Sequence, residues 1–301
     1  MEPLFDRYKE IIPDFESFQK RLYRPLSTHL RVNILKMDPA SLFKSFAEKN
    51  IHLQRASEKY DRLFHAPDLK SPGNLMEYAL GYIHAQALTS CLAAFALDVQ
   101  PHSYVLDMCA SPGGKTSQMS GLMNNTGLII ANELYPSRHI PLAHNLARLG
   151  VLNCVITGYQ AQEFPMRDRF DYILADVPCS GEGRVRITRE GFWSRDKKYV
   201  KDFSHLQKRI ILRGYDLLKK GGVMLYATCT YNPEENESVV DYLLKNRDAH
   251  LFSVETGFAQ EPGIRDWNNE QYDGQIKKTA RFYPHRVDSV GFFMAKIGRR
   301  G

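Results

Sequence analysis

Five cysteines occur in the 301 residues, Cys91, Cys109, Cys154, Cys179 and Cys229, and no two of them form a C-x-x-C pair. An odd, scattered set argues against a disulfide framework and against a zinc ribbon, so no metal is expected. Long apolar runs are also missing: the longest, around AQALTSCLAAFALDV, is interrupted by Gln86, Thr89, Ser90 and Cys91 and is too short to span a bilayer. The opening MEPLFDRYKE lacks the apolar core of a secretory signal, so a cytoplasmic protein with no membrane partner is expected. No period typical of repeat families appears and no segment is low in complexity. Two nucleotide fingerprints are incomplete. The turn DMCASPGGKTSQ, Asp107 to Gln118, ends like a phosphate loop in Gly114-Lys115-Thr116, but Cys109 stands where the first glycine of G-x-x-x-x-G-K-[ST] belongs. The dinucleotide pattern G-x-G-x-x-G is completed neither there nor at Gly181-Glu182-Gly183.

What the sequence does contain is an ordinary globular composition, 43% hydrophobic and 25% charged, in a chain long enough for one large domain with a small companion. The formal charge is +6, from 40 Lys and Arg against 34 Asp and Glu, a mild bias toward polyanionic partners. Residues 1–70 read as a small α+β module. A helix in ESFQKRLYRP stops at Pro25, LRVNIL is a strand, and a second helix starts at Pro39-Ala40 and runs through SLFKSFAEKN. Lys20, Arg21, Arg24, His29 and Arg31 concentrate cations there, which reads first as a solvated face and second as one wall of a nucleic-acid groove.

From 71 to 301 strands and helices alternate: YVLDM, LIIAN, a helix in PSRHIPLAHNLARLG, NCVIT, FDYILAD, a helix in FSHLQKRIILRGYDLLKKGG, VMLYAT, a helix in PEENESVVDYLLKN, and GFFMAKI. This order predicts an α/β fold, a doubly wound Rossmann-like sheet of mostly parallel strands. The nearly unbroken apolar runs in YILAD and VMLYA are what strands covered on both faces require.

Ligands of such sheets bind outside the carboxyl ends of the strands. At that edge the sequence offers Asp107, the glycine turn, and Glu133 after LIIAN. A carboxylate in the last position can accept both hydroxyl protons of a ribose diol, a spacing that fits S-adenosylmethionine. Glu133 reads equally as a helix-capping acid before Pro136. The next two strand ends each carry a thiol, Cys179 in ADVPCSGEG and Cys229 in YATCTYNPEENE, the first of them three residues after Asp176. Thiols beside a methyl donor suit methylation of a pyrimidine at C5. A thiolate that adds to C6 makes C5 nucleophilic, and loss of the C5 proton then releases the thiol. Proton donation or hydrogen bonding at N3 is a task for an acid in the pocket, and Asp176 is placed for it.

Taken together, DMCASPGGKTSQ, Glu133, DVPCSGEG, Trp193, LKKGGVMLYATCTYNPEENESVV and RFYPHRVDSVGFFMAKI resemble the successive motifs of the RNA cytosine-5 methyltransferases of the NOL/NOP/Sun family, over most of the chain from Arg31 to Ile297. The resemblance implies that Cys229 is the nucleophile and that Cys179 assists product release. The residues alone leave this order open. It further implies that Cys109, Ala110, Ser111, Pro112, Gly113, Gly114 and Lys115 wrap the cofactor, that Glu133 takes the ribose, that Arg138 lies near the cofactor, and that Asp176 stands between cofactor and base. Lys115 is expected to reach the base or Asp176. Where the family has an adenine-binding Asp after the third strand this chain has Gln160, whose carbonyl can still accept.

A base-modifying pocket needs its target flipped or looped out. Arg184, Arg186 and Arg189 with Phe192 and Trp193 offer cations for phosphates and faces for stacking, and Lys277, Lys278, Arg281, His285 and Arg286 are expected along the rim. A monomer with no appended RNA-binding domain is expected, acting on tRNA, with rRNA as the main competitor. A non-catalytic RNA-binding scaffold or a nucleotide-binding switch is the reading from another class.

Overall fold

The computed structural model describes residues 5–165, 169–187 and 197–300. Helix α1 (Phe15–Leu22) starts on Asp14, whose carboxylate accepts the Ser17 N–H. Strands β1 (Thr28–Val32), β2 (Gln54–Arg55), β3 (Leu63–Ala66) and β4 (Ile83–Ala85) form an antiparallel sheet in the order β2-β3-β1-β4. Helix α2 (Pro39–Glu48) begins where the sequence places it, with Asp38 capping the Ser41 N–H and Pro39 in its first turn. Its Leu42 and Phe46 pack on Leu30, Val32, Phe64 and Ile83 of that sheet. The fourth strand lies beyond residue 70, and the short helix α3 (Met76–Ala79) leads into it.

Helix α4 (Leu88–Leu97) then enters the large sheet, made of β5 (Tyr104–Asp107), β6 (Leu128–Asn132), β7 (Cys154–Thr157), β8 (Phe170–Asp176), β9 (Leu218–Thr228), β10 (Ala249–Phe252), β11 (Glu261–Pro262), β14 (Ala280–Phe282) and β15 (Phe292–Arg299). A separate ribbon pairs β12 (Asp266–Trp267) with β13 (Glu270–Gln271). The order is β11-β14-β15-β9-β8-β5-β6-β7, with β10 paired to β15. Strands β7, β6, β5, β8 and β9 run parallel. Helices α5 (Gly114–Leu122), α6 (Pro136–Arg148), α7 (Lys197–Leu217) and α8 (Glu237–Asn246) complete the layers. The expected doubly wound α/β sheet is therefore present.

Both faces are covered, which accounts for the unbroken apolar runs. Val105, Leu174 and Leu225 join the cluster under α4, while their neighbours Leu106, Ile173 and Met224 join the one under α7 and α8. Strand order reverses between β5 and β8, so the turns after these two strands flank the switch point where such sheets bind ligands.

Two local expectations shift. Strand β9 follows α7 directly at Leu218, so the KKGG segment belongs to the strand. Helix α8 starts at Glu237 and leaves PEEN outside it. Residues 230–236 are committed to other bonds: Asn236 Nδ2 donates to the Thr230 carbonyl at 3.0 Å, Thr228 Oγ1 donates to Asn236 Oδ1 at 2.5 Å, and the Glu234 N–H donates to Asn232 Oδ1 at 3.1 Å. Side chains that satisfy the backbone in this way compete with the helix.

Candidate active site

Parallel pairing brings the acids and thiols to one edge. Asp107 ends β5, Glu133 follows β6, Asp176 ends β8, and Cys229 follows β9, with Asp176 in register with Ala227 across the β8–β9 pair. The Cys179 and Cys229 sulfur atoms are 3.4 Å apart, both partly accessible. Lys115, in the first turn of α5, reaches across with its Nζ 2.6 Å from Asp176 Oδ2 and lies over the Phe292 ring at 5.6 Å.

The two thiols sit in different electrostatic surroundings. The hydrogen bond with Cys179, aided by the charges of Arg184 and Lys115, lowers the Cys229 thiol from its ordinary value, although burial opposes this. The same hydrogen bond, together with its partial burial, holds Cys179 well above its ordinary value. Burial pushes Cys91 and Cys154 up to about 12, and burial with Asp107 nearby raises Cys109 as well. Of the five thiols only Cys229 is shifted toward the thiolate. Burial works against the Lys115 ammonium, but the Asp176 carboxylate outweighs it and holds the Lys115 pKa above the ordinary lysine value.

The glycine turn is tied down from both sides. Thr116 Oγ1 donates to Asp107 Oδ2 at 2.7 Å, and Arg138 Nη2 donates to the Ser111 carbonyl at 2.9 Å. The Ala110 N–H donates to the Asn132 carbonyl, and Asn145 Nδ2 donates to the Pro112 carbonyl. Gly113 has a φ of +98°, which only glycine takes without strain, and a Cβ there would lie 3.0 Å from Leu142. Glu133 is buried rather than on the surface. Its carboxylate accepts the Tyr135 N–H at 3.1 Å and stands 3.3 Å from Arg138 Nη1, so the capping contact and a place on the ligand edge coexist. Gln160 is exposed at the end of the loop after β7, and its carbonyl accepts from Gln162 Nε2 at 2.6 Å.

Several cations expected to face RNA do not. Arg31 is only 3% exposed and donates to Ser117 Oγ at 2.9 Å and to the Gly114 carbonyl at 3.3 Å, so it braces the start of α5. Arg281 is buried against Glu237, with Nε at 2.6 Å, and donates to the Tyr231 carbonyl at 2.9 Å. Arg186 donates to the carbonyls of Val185 and Ser289, and His285 contacts the Pro13 carbonyl. In each case the guanidinium or imidazole is used inside the fold to satisfy a backbone oxygen or a carboxylate. Arg24, Arg184, Lys277, Lys278 and Arg286 remain exposed. Arg189, Phe192 and Trp193 lie outside the described residues.

Sequence reasoning missed Glu182 and Glu235, which accept hydrogen bonds from Thr230 and Ser180, the residues that follow the two cysteines. Ser180 N–H donates to Glu235 Oε2 at 2.8 Å, Ser180 Oγ donates to Thr230 Oγ1 at 2.8 Å, and Thr230 Oγ1 donates to Glu182 Oε2 at 2.9 Å. Their position inside the two cysteine motifs was the available signal.

The family model described as "16S rRNA methyltransferase RsmB/F" matches residues 94–298. A tRNA (cytosine(49)-C(5))-methyltransferase of Pyrococcus abyssi is 37% identical over 98% of this chain and 94% of its own length. The human 28S rRNA (cytosine(4447)-C(5))-methyltransferase is 37% identical over 91% of this chain, which spans only 34% of that longer protein. A solved structure of a methyltransferase homolog from Pyrococcus horikoshii superposes with a TM-score of 0.84 at 32% identity, over 98% of this chain and 93% of the other. Given the paired thiols and these matches, the chain belongs to the RsmB/F family of RNA (cytosine-C5)-methyltransferases, S-adenosylmethionine-dependent enzymes.

Proposed function

We propose that this chain methylates C5 of a cytosine in transfer RNA through a covalent bond between Cys229 Sγ and C6 of the base. The observation that carries the mechanism is the 3.4 Å separation of two partly accessible thiols beside the Lys115–Asp176 pair. Transfer RNA is supported by the Pyrococcus abyssi relative, which matches this chain nearly end to end. Ribosomal RNA is the second reading, favoured by the family description and the human relative.

The site suits S-adenosylmethionine. Asp107 Oδ1 is a buried acceptor with no partner among the described residues, and Glu133 presents a second buried carboxylate one strand away. A Cβ at Gly114 would lie 3.1 Å from His84 Nε2 and 3.2 Å from Gln86 Oε1, so a larger residue there requires those side chains to give way by a few tenths of an ångström. Cys109 to Lys115, Glu133, Arg138, Gln160 and Asp176 would hold the molecule, Glu133 at its ribose. When bound, S-adenosylmethionine supplies the methyl group as an electrophile.

The chain's own groups do the rest. Lys115 and Arg184 favour the Cys229 thiolate, which forms the S–C6 bond while N3 gains a proton or hydrogen bond at Asp176. The added electron density makes C5 nucleophilic. After C5 is substituted, its proton leaves with Cys179 assisting, the electron pair reforms the C5–C6 double bond, and the S–C6 bond breaks.

Cys179→Ala should therefore accumulate a protein–RNA adduct that survives denaturing electrophoresis, whereas Cys229→Ala should give neither adduct nor product. The reverse pattern would assign the nucleophile to Cys179. Bisulfite sequencing of small and ribosomal RNA incubated with the protein and methyl donor, against Cys229→Ala, names the substrate. Protected cytosines confined to rRNA would replace the tRNA reading.

A further inference from the structure

The first described residues, from Phe5 onward, do not join the cluster on the small sheet. Phe5, Tyr8, Ile12, Phe18 and Leu22 form their own cluster with Val185, Tyr231 and Tyr283. They therefore lie against the two loops that carry the thiols. The contacts are polar as well as apolar. The Tyr8 hydroxyl donates to Glu182, 3.0 Å from each carboxylate oxygen, and Arg7 Nη2 is 3.0 Å from Glu234 Oε1. Phe5 meets Tyr231 edge-on, with centroids 5.4 Å apart. One short segment thus grips the Cys179 loop at Glu182 and the Cys229 loop at Tyr231 and Glu234.

The hydrogen bonds beyond Tyr8 run in one direction. Ser180, next to Cys179, donates to Thr230, next to Cys229, and Thr230 donates its only hydroxyl proton to Glu182. Thr230 Oγ1 also accepts the Asn232 N–H at 3.2 Å, and the Gly183 N–H closes the loops by donating to the Cys229 carbonyl at 2.9 Å. The chain therefore ends on Glu182 as a shared acceptor for Thr230 and Tyr8.

We propose that Tyr8 is a positioning residue for the reaction: by holding Glu182 as an acceptor it fixes the Ser180–Thr230 bridge, and with it the separation of the Cys179 and Cys229 thiols. The proposal rests on the reading of Cys229 as nucleophile. Burial raises Glu182 to about 7, and Thr230, Tyr8 and Arg7 oppose that rise while Glu235 adds to it. Without Tyr8 the Glu182 carboxyl loses the bond that holds both of its oxygens in place, so it can turn away from Thr230 Oγ1 and the bridge loses its fixed acceptor. Tyr8 is fully buried, so its part is not contact with RNA.

The test uses Tyr8→Phe and Glu182→Leu in the full chain, the second of which removes the acceptor itself. The first readout is the rate at which iodoacetamide alkylates Cys229, resolved by peptide mass spectrometry without RNA or methyl donor. The second is kcat against KM for RNA. Each variant should slow Cys229 alkylation at least fivefold and lower kcat at least tenfold, with KM within twofold, and the double variant should lose no more than the worse single one. Unchanged alkylation and kcat, a change confined to KM, or additive losses would overturn the proposal. Should either variant fail to fold, the other alone carries both readouts. Because alkylation needs no RNA, slowed alkylation in a protein that methylates no RNA sinks the function and keeps the positioning role. Wild-type methylation matched by both variants does the opposite.

Discussion

At the scale of single residues, surroundings decide what identical side chains do. Cys91, buried, and Cys154, partly buried, are both raised to about 12 and are packing groups, whereas Cys229 has a second thiol and two cations beside it. Motif position alone points to Cys179 and Cys229, because both follow strands whose ends form the ligand edge. Their opposite pKa shifts were not legible, since these depend first on the hydrogen bond between the two thiols, which only the fold brings together, and then on their burial. Asp107 carries a pH dependence of its own. Burial lifts its carboxyl from 3.8 to about 7, against the pull of the Thr116 hydroxyl. A folded-state pKa above the unfolded one means that the fold favours the protonated form. That contribution is fully present below pH 3.8 and is lost as pH climbs through about 7. Asp107→Asn, which can still accept from Thr116, should flatten the decline in melting temperature between pH 4.5 and 7.5 in the ligand-free protein. A decline equal to that of the wild type would show that the carboxyl titrates normally.

At the scale of elements, the parallel strands were legible because each is an apolar run bounded by turn residues, and the crossover helices carry one apolar face. The start of α8 was not. PEEN has the composition of a helix opening, yet Thr228, Thr230 and Asn232 draw its residues into a loop closed by side-chain bonds. That loop and the one after β8 meet at Gly183, where a Cβ would lie 2.2 Å from the Gly291 carbonyl oxygen and 2.9 Å from that of Cys229. Gly183→Ala must push these backbones apart, so we expect a loss of about 2 kcal/mol or more, in the range of overpacking in a filled site. Urea unfolding measures it, and a midpoint within experimental error of the wild type would contradict the close approach.

At the scale of the whole molecule, the +6 charge does not translate into one basic wall. Arg31 and Arg281 are consumed inside the fold, and Arg21 is paired with Asp288. Arg24 and Arg31, both counted as cations of the N-terminal module, should therefore behave oppositely on substitution. Arg24→Ala should raise KM for RNA, make binding less dependent on salt and leave thermal stability unchanged, as expected for a phosphate contact. Arg31→Met should lower the melting temperature and weaken S-adenosylmethionine binding, because it removes donors to Ser117 and the Gly114 carbonyl at the cofactor turn. Calorimetry and filter binding at two salt concentrations separate the two. An Arg31→Met protein with native stability and weakened RNA binding alone would restore the groove reading.

The order of motifs by itself determined the doubly wound sheet, the edge on which ligands gather and the set of acids and thiols on that edge. The reason is local: a parallel strand followed by a crossover helix always returns its next turn to the same side. Tertiary structure alone decided that the two sulfurs stand 3.4 Å apart, that Arg31 and Arg281 turn inward, and that Tyr8 reaches Glu182. These contacts join positions 50 to 174 residues apart in the chain for the thiol pair and the tyrosine bond, and no pattern within a helix or strand encodes which distant neighbour will fill a given contact.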